Sequence, residues 1–193
     1  MSDLAKILDV RIVDDGWAKF MVADVRLADG TQVTRQIEDH GVAVAVLPYD
    51  PVRRTVVLVR LLRAPALYAA GVPELIEAVA GVIDEGETAE AAARRETMEE
   101  AGLKLGELQT LAKVWVSPGI STEMISLFLA PYTAADGVAE GGGLEAEHEG
   151  ITVLELRATK AWAMLECGEI ADMKTLALLF ALRLRHPDLF IAP

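Results

Sequence analysis

The sequence predicts a mixed α/β fold, one sheet between helical layers, preceded by a smaller antiparallel β unit. Three observations lead there. Runs rich in β-branched residues fill the N-terminal third, an Ala/Glu-rich helical pattern interrupts them, and two helical patterns close the chain after further strands. At 193 residues the chain has room for one well-buried core and a small extra lobe. Residues 1–40 are expected to form the lobe, and 41–193 the main domain.

The runs ILDVRIVDD, WAKFMVADVRLAD and TQVTRQIED read as three antiparallel strands, with Asp29-Gly30 as the hairpin turn between the last two. GVAVAVLPYD and TVVLVRLLR, joined at Asp50-Pro51, are near-continuous apolar runs, the pattern of strands buried on both faces. From Thr88 to Ala101 the pattern turns helical, with Thr88 able to cap and Gly102 to stop it. LGELQTLAKVWV and EMISLFLAPY return to strand. GVAEGGGLEAEHEG is a glycine-rich acidic loop, expected to be mobile, and ITVLELR a last strand. Helices are expected over 158–166 and 172–185, ending before Pro187. A three-stranded sheet as small as the N-terminal one needs a partner surface, and a second copy of the chain is the expected one, making a homodimer.

Composition narrows the function. A formal net charge of −12 repels phosphate backbones and argues against nucleic acid as the partner. An acidic protein can still take an anionic small molecule if cations bridge its carboxylates to phosphate oxygens. The apolar stretch from Thr175 to Leu182 is too short to span a bilayer, so no membrane role is expected. MSDLAKILDV carries charge where a signal peptide needs an apolar segment. One cysteine, Cys167, excludes an internal disulfide and suits a reducing cytoplasm.

The informative stretch is GVIDEGETAEAAARRETMEEAGL, Gly81 to Leu103. On a helix, Glu96, Glu99 and Glu100 stand at i, i+3 and i+4, so their carboxylates share one face. Three like charges that close repel one another unless divalent cations lie between them, and magnesium prefers such hard oxygen ligands. Arg95 points about 100° away around the helix, which suits an orienting pair with a carboxylate such as Glu87. A Glu-Glu pair on an Ala-rich helix is ordinarily a solvated face. The whole spacing is different: with roughly one in fifteen odds per position, seven fixed residues coincide once in ~10⁸ windows.

These residues resemble the Nudix box, Gly-x5-Glu-x7-Arg-Glu-U-x-Glu-Glu-x-Gly-U with U a bulky apolar residue. Every fixed position matches; Thr97 is the departure, at the first U. The resemblance implies an α/β/α sandwich and hydrolysis of a nucleoside diphosphate linked to another group, with Mg2+ as cofactor and Mn2+ as the alternate ion. Pro118, sixteen residues beyond Gly102 within Ser117-Pro118-Gly119, resembles the mark of the branch acting on ADP-ribose and other nucleotide sugars. LVRLLRAP is similar to that branch's Arg-Gln-x-Arg strand, with Leu61 in place of glutamine; Arg60 and Arg63 stay as phosphate or ribose contacts. LIEAVAG places Glu77 and Ala80 before the box, and the resemblance makes the Ala80 carbonyl a metal ligand beside Glu96, Glu99 and Glu100. GGGLEAEHEGITVLEL and LECGEIADMKT look most like GDP-mannose pyrophosphatases.

In this branch the loop before the late strand supplies an acidic general base. The matching position is Glu147, with Glu145 and Glu149 as neighbours; the reserve bases are Glu99 on the helix and then Glu123 after the Ser-Pro-Gly turn, which is also an expected substrate contact. The expected reaction is metal-assisted hydrolysis at phosphorus, with Glu100 in the catalytic set, yielding a nucleoside monophosphate and a sugar phosphate. Rival readings are a nucleoside triphosphate-sanitising hydrolase on the same box, and a catalytically silent nucleotide-binding module. The intact carboxylate set speaks against the second.

Overall fold

The structure, a computed structural model, describes residues 4–143 and 150–191. Its contacts divide the chain into two compact units, Met1–Val42 with Lys113–Ile125, and Ala43–Ala112 with Ser126–Pro193.

In the first unit β1 (Lys6–Asp15), β2 (Lys19–Arg26) and β3 (Gln32–Asp39) form an antiparallel sheet in that order. The turn between β2 and β3 closes where expected: the Gly30 amide donates to Leu27 O at 3.0 Å, with Gly30 at φ 87°, a value that favours glycine. Among the described residues of these strands only Ala23 is buried. The end of β3 also takes up the Ser-Pro-Gly segment. The Glu38 amide donates to Ile120 O at 2.8 Å, and the Thr122 amide to Glu38 O at 2.9 Å.

The second unit holds a mixed sheet in the order β10-β5-β4-β9-β8, with β6 on β5 and β7 on β4. These strands are β4 (Ala43–Asp50), β5 (Thr55–Leu62), β6 (Glu74–Glu77), β7 (Val79–Val82), β8 (Gln109–Trp115), β9 (Met124–Pro131) and β10 (Thr152–Arg157). Every residue of β4 is buried, which explains its apolar run from Ala43 to Leu47. Val44 and Val46 share a cluster with Ala92 and Ala93 of helix α2 (Ala89–Ala101). Ala45 and Leu47, equally buried, point to the opposite face by strand alternation. Helix α4 (Met173–Arg185) also packs on β4, burying Leu178, Leu179 and Leu182, while α3 (Ala158–Glu166) packs on β5 and β10.

One short helix, α1 (Ala64–Ala70), escapes the sequence reading, as do the brief strands β6 and β7. None of the α1 residues is buried, so no apolar period marks it. Pro65 near its start and Gly71 at φ 69° past its end are its punctuation.

Candidate active site

Helix α2 begins and ends on local signals. The Thr88 hydroxyl accepts from the Ala91 amide at 3.2 Å, and Gly102, left-handed at φ 65°, donates to Met98 O at 3.0 Å. Thr97, the departure from the apolar pattern, is fully buried and turns its hydroxyl back to Ala93 O at 2.7 Å. That bond satisfies its polar atom within the helix.

The glutamates of α2 meet β7. Glu100 is 3 % exposed and its Oε2 accepts from the Ala80 amide at 3.3 Å. Gly81 faces Glu96: a Cβ there would lie 2.0 Å from the Glu96 carboxyl carbon. Any side chain at 81 would therefore displace that carboxylate. Arg95 donates to Glu87 through Nε at 3.2 Å and Nη2 at 2.9 Å, and to Val82 O at 3.0 Å. It reaches further than the helical angle suggests, since Nη1 donates to Glu96 at 2.7 Å and to Glu99 at 3.2 Å. The bond from Arg95 holds the Glu87 carboxyl below its ordinary pKa, and the same carboxylates raise that of Arg95.

These donors suit a hard divalent cation: three carboxylates and a backbone segment, opposite a glycine that leaves their space clear. Among the described residues no three acidic, imidazole or thiol groups stand close enough together to hold a metal ion as they are, and Arg95 shares two of the carboxylates. Glu100 thus meets Ala80 and Glu96 faces Gly81, while Glu99 is joined to Glu96 through Arg95.

A second polar cluster lies in the same unit. Glu77, only 2 % exposed, accepts two bonds from Arg63, Nε and Nη2 each at 2.8 Å, and a third from Lys174. Burial pushes the Glu77 carboxyl up, but the two cations outweigh it and the net direction is down. Lys174 is also 3.1 Å from Asp172, whose carboxylate caps α4 by accepting from the Thr175 amide at 2.9 Å. Thr175 Oγ1 in turn accepts from the Ala78 amide at 2.7 Å. Lys174 and Asp172 are partners that sequence reasoning missed; the pairing of Asp172 with Thr175 in a cap was the available signal. Arg60 sits on β5 opposite Ile76 and Thr152, with no side-chain ion pair among the described residues. Leu61, standing where a glutamine was the expected pattern, belongs to the core cluster.

Glu123 lies in the other unit, 3.7 Å from His40 Nε2, while His40 Nδ1 pairs with Glu38. The Trp17 indole, 82 % exposed, stacks on the His40 ring at 5.0 Å and 19°. Pro118 is inside the turn in which the Ser121 amide donates to Ser117 O at 2.8 Å. Glu145, Glu147 and Glu149 lie outside the described residues.

The glycine run ahead of them belongs to the described part of the loop expected to be mobile. It is pinned to α2: Gly142 N donates to Glu100 O at 2.8 Å and Gly143 N to Glu99 O at 3.1 Å. The carbonyls at a helix C-terminus need donors, and these glycines supply them. Among the described residues no helix is long and apolar enough to cross a membrane.

Comparison with known proteins adds the lineage. The GDP-mannose pyrophosphatase of Citrobacter koseri is 42 % identical over 147 residues, 75 % of each chain. That of Escherichia coli strain SMS-3-5 is 38 % identical over 192 residues, 96 % of this chain and 98 % of the other. In solved structures the fold is similar to that of an ADP compounds hydrolase, with TM-score 0.78 at 20 % identity over 97 % of both chains. Nudix hydrolases generally use divalent metal ions. The NUDIX domain model matches residues 39–169, which include the box and the strands that frame it, and the chain belongs to the Nudix hydrolase family.

Proposed function

We propose that this protein hydrolyses the pyrophosphate bond of a nucleoside diphosphate sugar, with GDP-mannose the first candidate and Mg2+ the working ion. The observation that supports the chemistry is that Glu100 and Glu96 face the Ala80–Gly81 segment, with Arg95 linking Glu96 to Glu99. The named relatives support the choice of substrate. Mn2+ is the alternate ion.

A bound cation would neutralise pyrophosphate oxygens and acidify the attacking water. The carboxylates of Glu96, Glu99 and Glu100 and the carbonyl of Ala80 would hold it. Arg95 orients those carboxylates and offsets their mutual repulsion. Glu147 takes the water's proton as general base. Arg60, Arg63, Glu77 and Glu123 are the proposed substrate-side groups; the Glu77 carboxylate fixes the Arg63 guanidinium, leaving less of its side-chain entropy to be lost on binding an anion. The products are a nucleoside monophosphate and a sugar phosphate, and the working place is the cytoplasm, where a lone thiol stays reduced.

Incubation with GDP-mannose, ADP-ribose or GTP in the presence of Mg2+, with the products resolved by anion exchange, tests this reading. GMP and mannose 1-phosphate are expected as the main products. Preferred conversion of GTP to GMP and pyrophosphate, or no magnesium-dependent turnover of either nucleotide sugar, would overturn it.

A further inference from the structure

Beyond the residues that meet the ion, the segment 137–143 is laid along the last turn of α2. The amides of Val138 and Ala139 donate to Gly102 O at 2.9 and 3.3 Å, and those of Gly142 and Gly143 to the carbonyls of Glu100 and Glu99 at 2.8 and 3.1 Å. Lys104 N donates back to Asp136 O at 2.9 Å. Two of the acceptors are thus the backbones of residues whose side chains form the carboxylate face.

The glycines are required by two separate constraints. Gly141, Gly142 and Gly143 have φ of 72°, 110° and 77°, which L side chains rarely adopt. Gly141 is in addition jammed against the helix: a Cβ there would lie 2.5 Å from Glu100 O and 2.8 Å from the Ala101 carbonyl carbon. Backbone cannot yield as a flexible side chain would. At Gly142 a Cβ meets only Ile151 O at 3.7 Å, an ordinary contact. Neighbouring glycines therefore share the conformational demand, while only at Gly141 would a Cβ strike the helix.

We propose that Gly141 is a positioning residue: it lets the strap seat on α2, and the seated strap holds the Glu99 and Glu100 backbones where their carboxylates serve the cation. The inference rests on the proposed function, in that it takes this face to be the ion's site. A rigid support of this kind acts on ion affinity and turnover through the ligands rather than through substrate contact. Reciprocally, ion binding should tighten the strap, because coupling between two sites runs both ways.

The test compares Gly141→Ala with Gly142→Ala. Mg2+ affinity is read by calorimetry, kcat and KM for GDP-mannose by product release, and fold by circular dichroism and melting. Gly141→Ala should lose roughly ten- to a hundredfold in Mg2+ affinity and fall in kcat with KM for the nucleotide sugar little changed. Gly142→Ala, whose added Cβ clears the helix and leaves the amide bond to Glu100 O in place, should keep ion affinity within about threefold even where it melts earlier. Similar ion affinities in the two variants would overturn the proposal. Amide exchange in the unaltered protein keeps it falsifiable should Gly141→Ala not fold. The Gly142 and Gly143 amides should be protected like those of α2, and more so with Mg2+. Exchange at open-loop rates, or no response to a bound ion, would also overturn it. Failure of the unaltered protein to bind any divalent ion would instead sink the parent reading.

Discussion

Arg95 shows how one side chain organises the candidate centre. Its guanidinium donates to Glu87, Glu96 and Glu99 and to the Val82 carbonyl, using a planar fork of donors that lysine lacks. The part of this legible in sequence was the pair with Glu87, since both belong to one short motif. The grip of Arg95 on Glu96 and Glu99 depends on rotamers that spacing does not specify. Glu77 is a sharper case. Its cationic partner Lys174 is 97 positions away, and only the fold brings them together. A buried carboxylate signals that counter-charge exists, without saying where in the chain it is. The general base belongs to the same scale. Glu147→Gln should depress kcat strongly while substrate and Mg2+ binding survive, because the carboxylate acts on water rather than on the ground state. Glu145→Gln and Glu149→Gln should do much less. Rates for the three variants under saturating Mg2+ check this, and the largest loss at Glu149 would move the base there.

At the scale of elements, the helices whose ends carry their own chemistry were readable. Helix α2 runs from a Thr88 cap to a left-handed Gly102, and α4 from an Asp172 cap; both signals are local. The seat of the glycine run on α2 was not legible in sequence for a physical reason. Glycine marks both mobile chain and chain that must pass close to other backbone, and composition does not separate these. The end of β3 carries a pH-dependent clasp of the same hidden kind. His40 faces Glu38 on β3 and Glu123 at the start of β9, with Asp39 beside it, Lys19 near Asp39, and the Trp17 ring stacked on it. Burial lowers the His40 pKa, but the bond to Glu38 and the fields of Glu38 and Glu123 outweigh it, so the net shift is up from 6.5. A raised imidazole pKa stabilises the folded state fully below the unfolded value, and the contribution is lost as pH rises through the folded one. Burial works against ionised Glu38 too, yet its bonds from Ser121 and His40 leave its pKa below 4.5; that contribution is lost as pH falls through the folded value. The first unit should therefore be most stable in mildly acidic solution, and raising the pH past neutrality should loosen it. His40 ring resonances followed by NMR should titrate above 6.5, with the chemical shift of the Trp17 indole tracking them. Titration at or below 6.5 would contradict the clasp.

For the whole molecule, the main sheet was legible because its central strands are near-continuous apolar runs, as fully buried β4 requires. The N-terminal sheet was legible as strands, yet its own structure leaves a question of cover. Ile7, Val10, Ile12 and Val13 of β1 are all exposed, and only Ala23 of the three strands is buried. Two or three strands without a covered face are marginal in water, and apolar surface of this kind ordinarily marks a contact site. A homodimer in which residues 1–40 are covered by the partner follows as the proposed assembly. Light scattering at low micromolar concentration should give twice the mass of 20.8 kDa, and a monomer there would refute it.

The Glu96, Glu99 and Glu100 face is proposed as the place where a divalent cation activates hydrolysis. The most direct measurement of this is kcat for GDP-mannose in Glu100→Gln at saturating Mg2+, beside a melting curve of the same sample. Removing one charge from a site built for cations should cost on the order of a hundredfold or more in kcat, with the fold retained, because the amide keeps the carboxylate's size and can still accept from the Ala80 amide. Turnover within a few-fold of the parent in a folded Glu100→Gln protein would contradict the account, and the ion's site would have to be sought elsewhere.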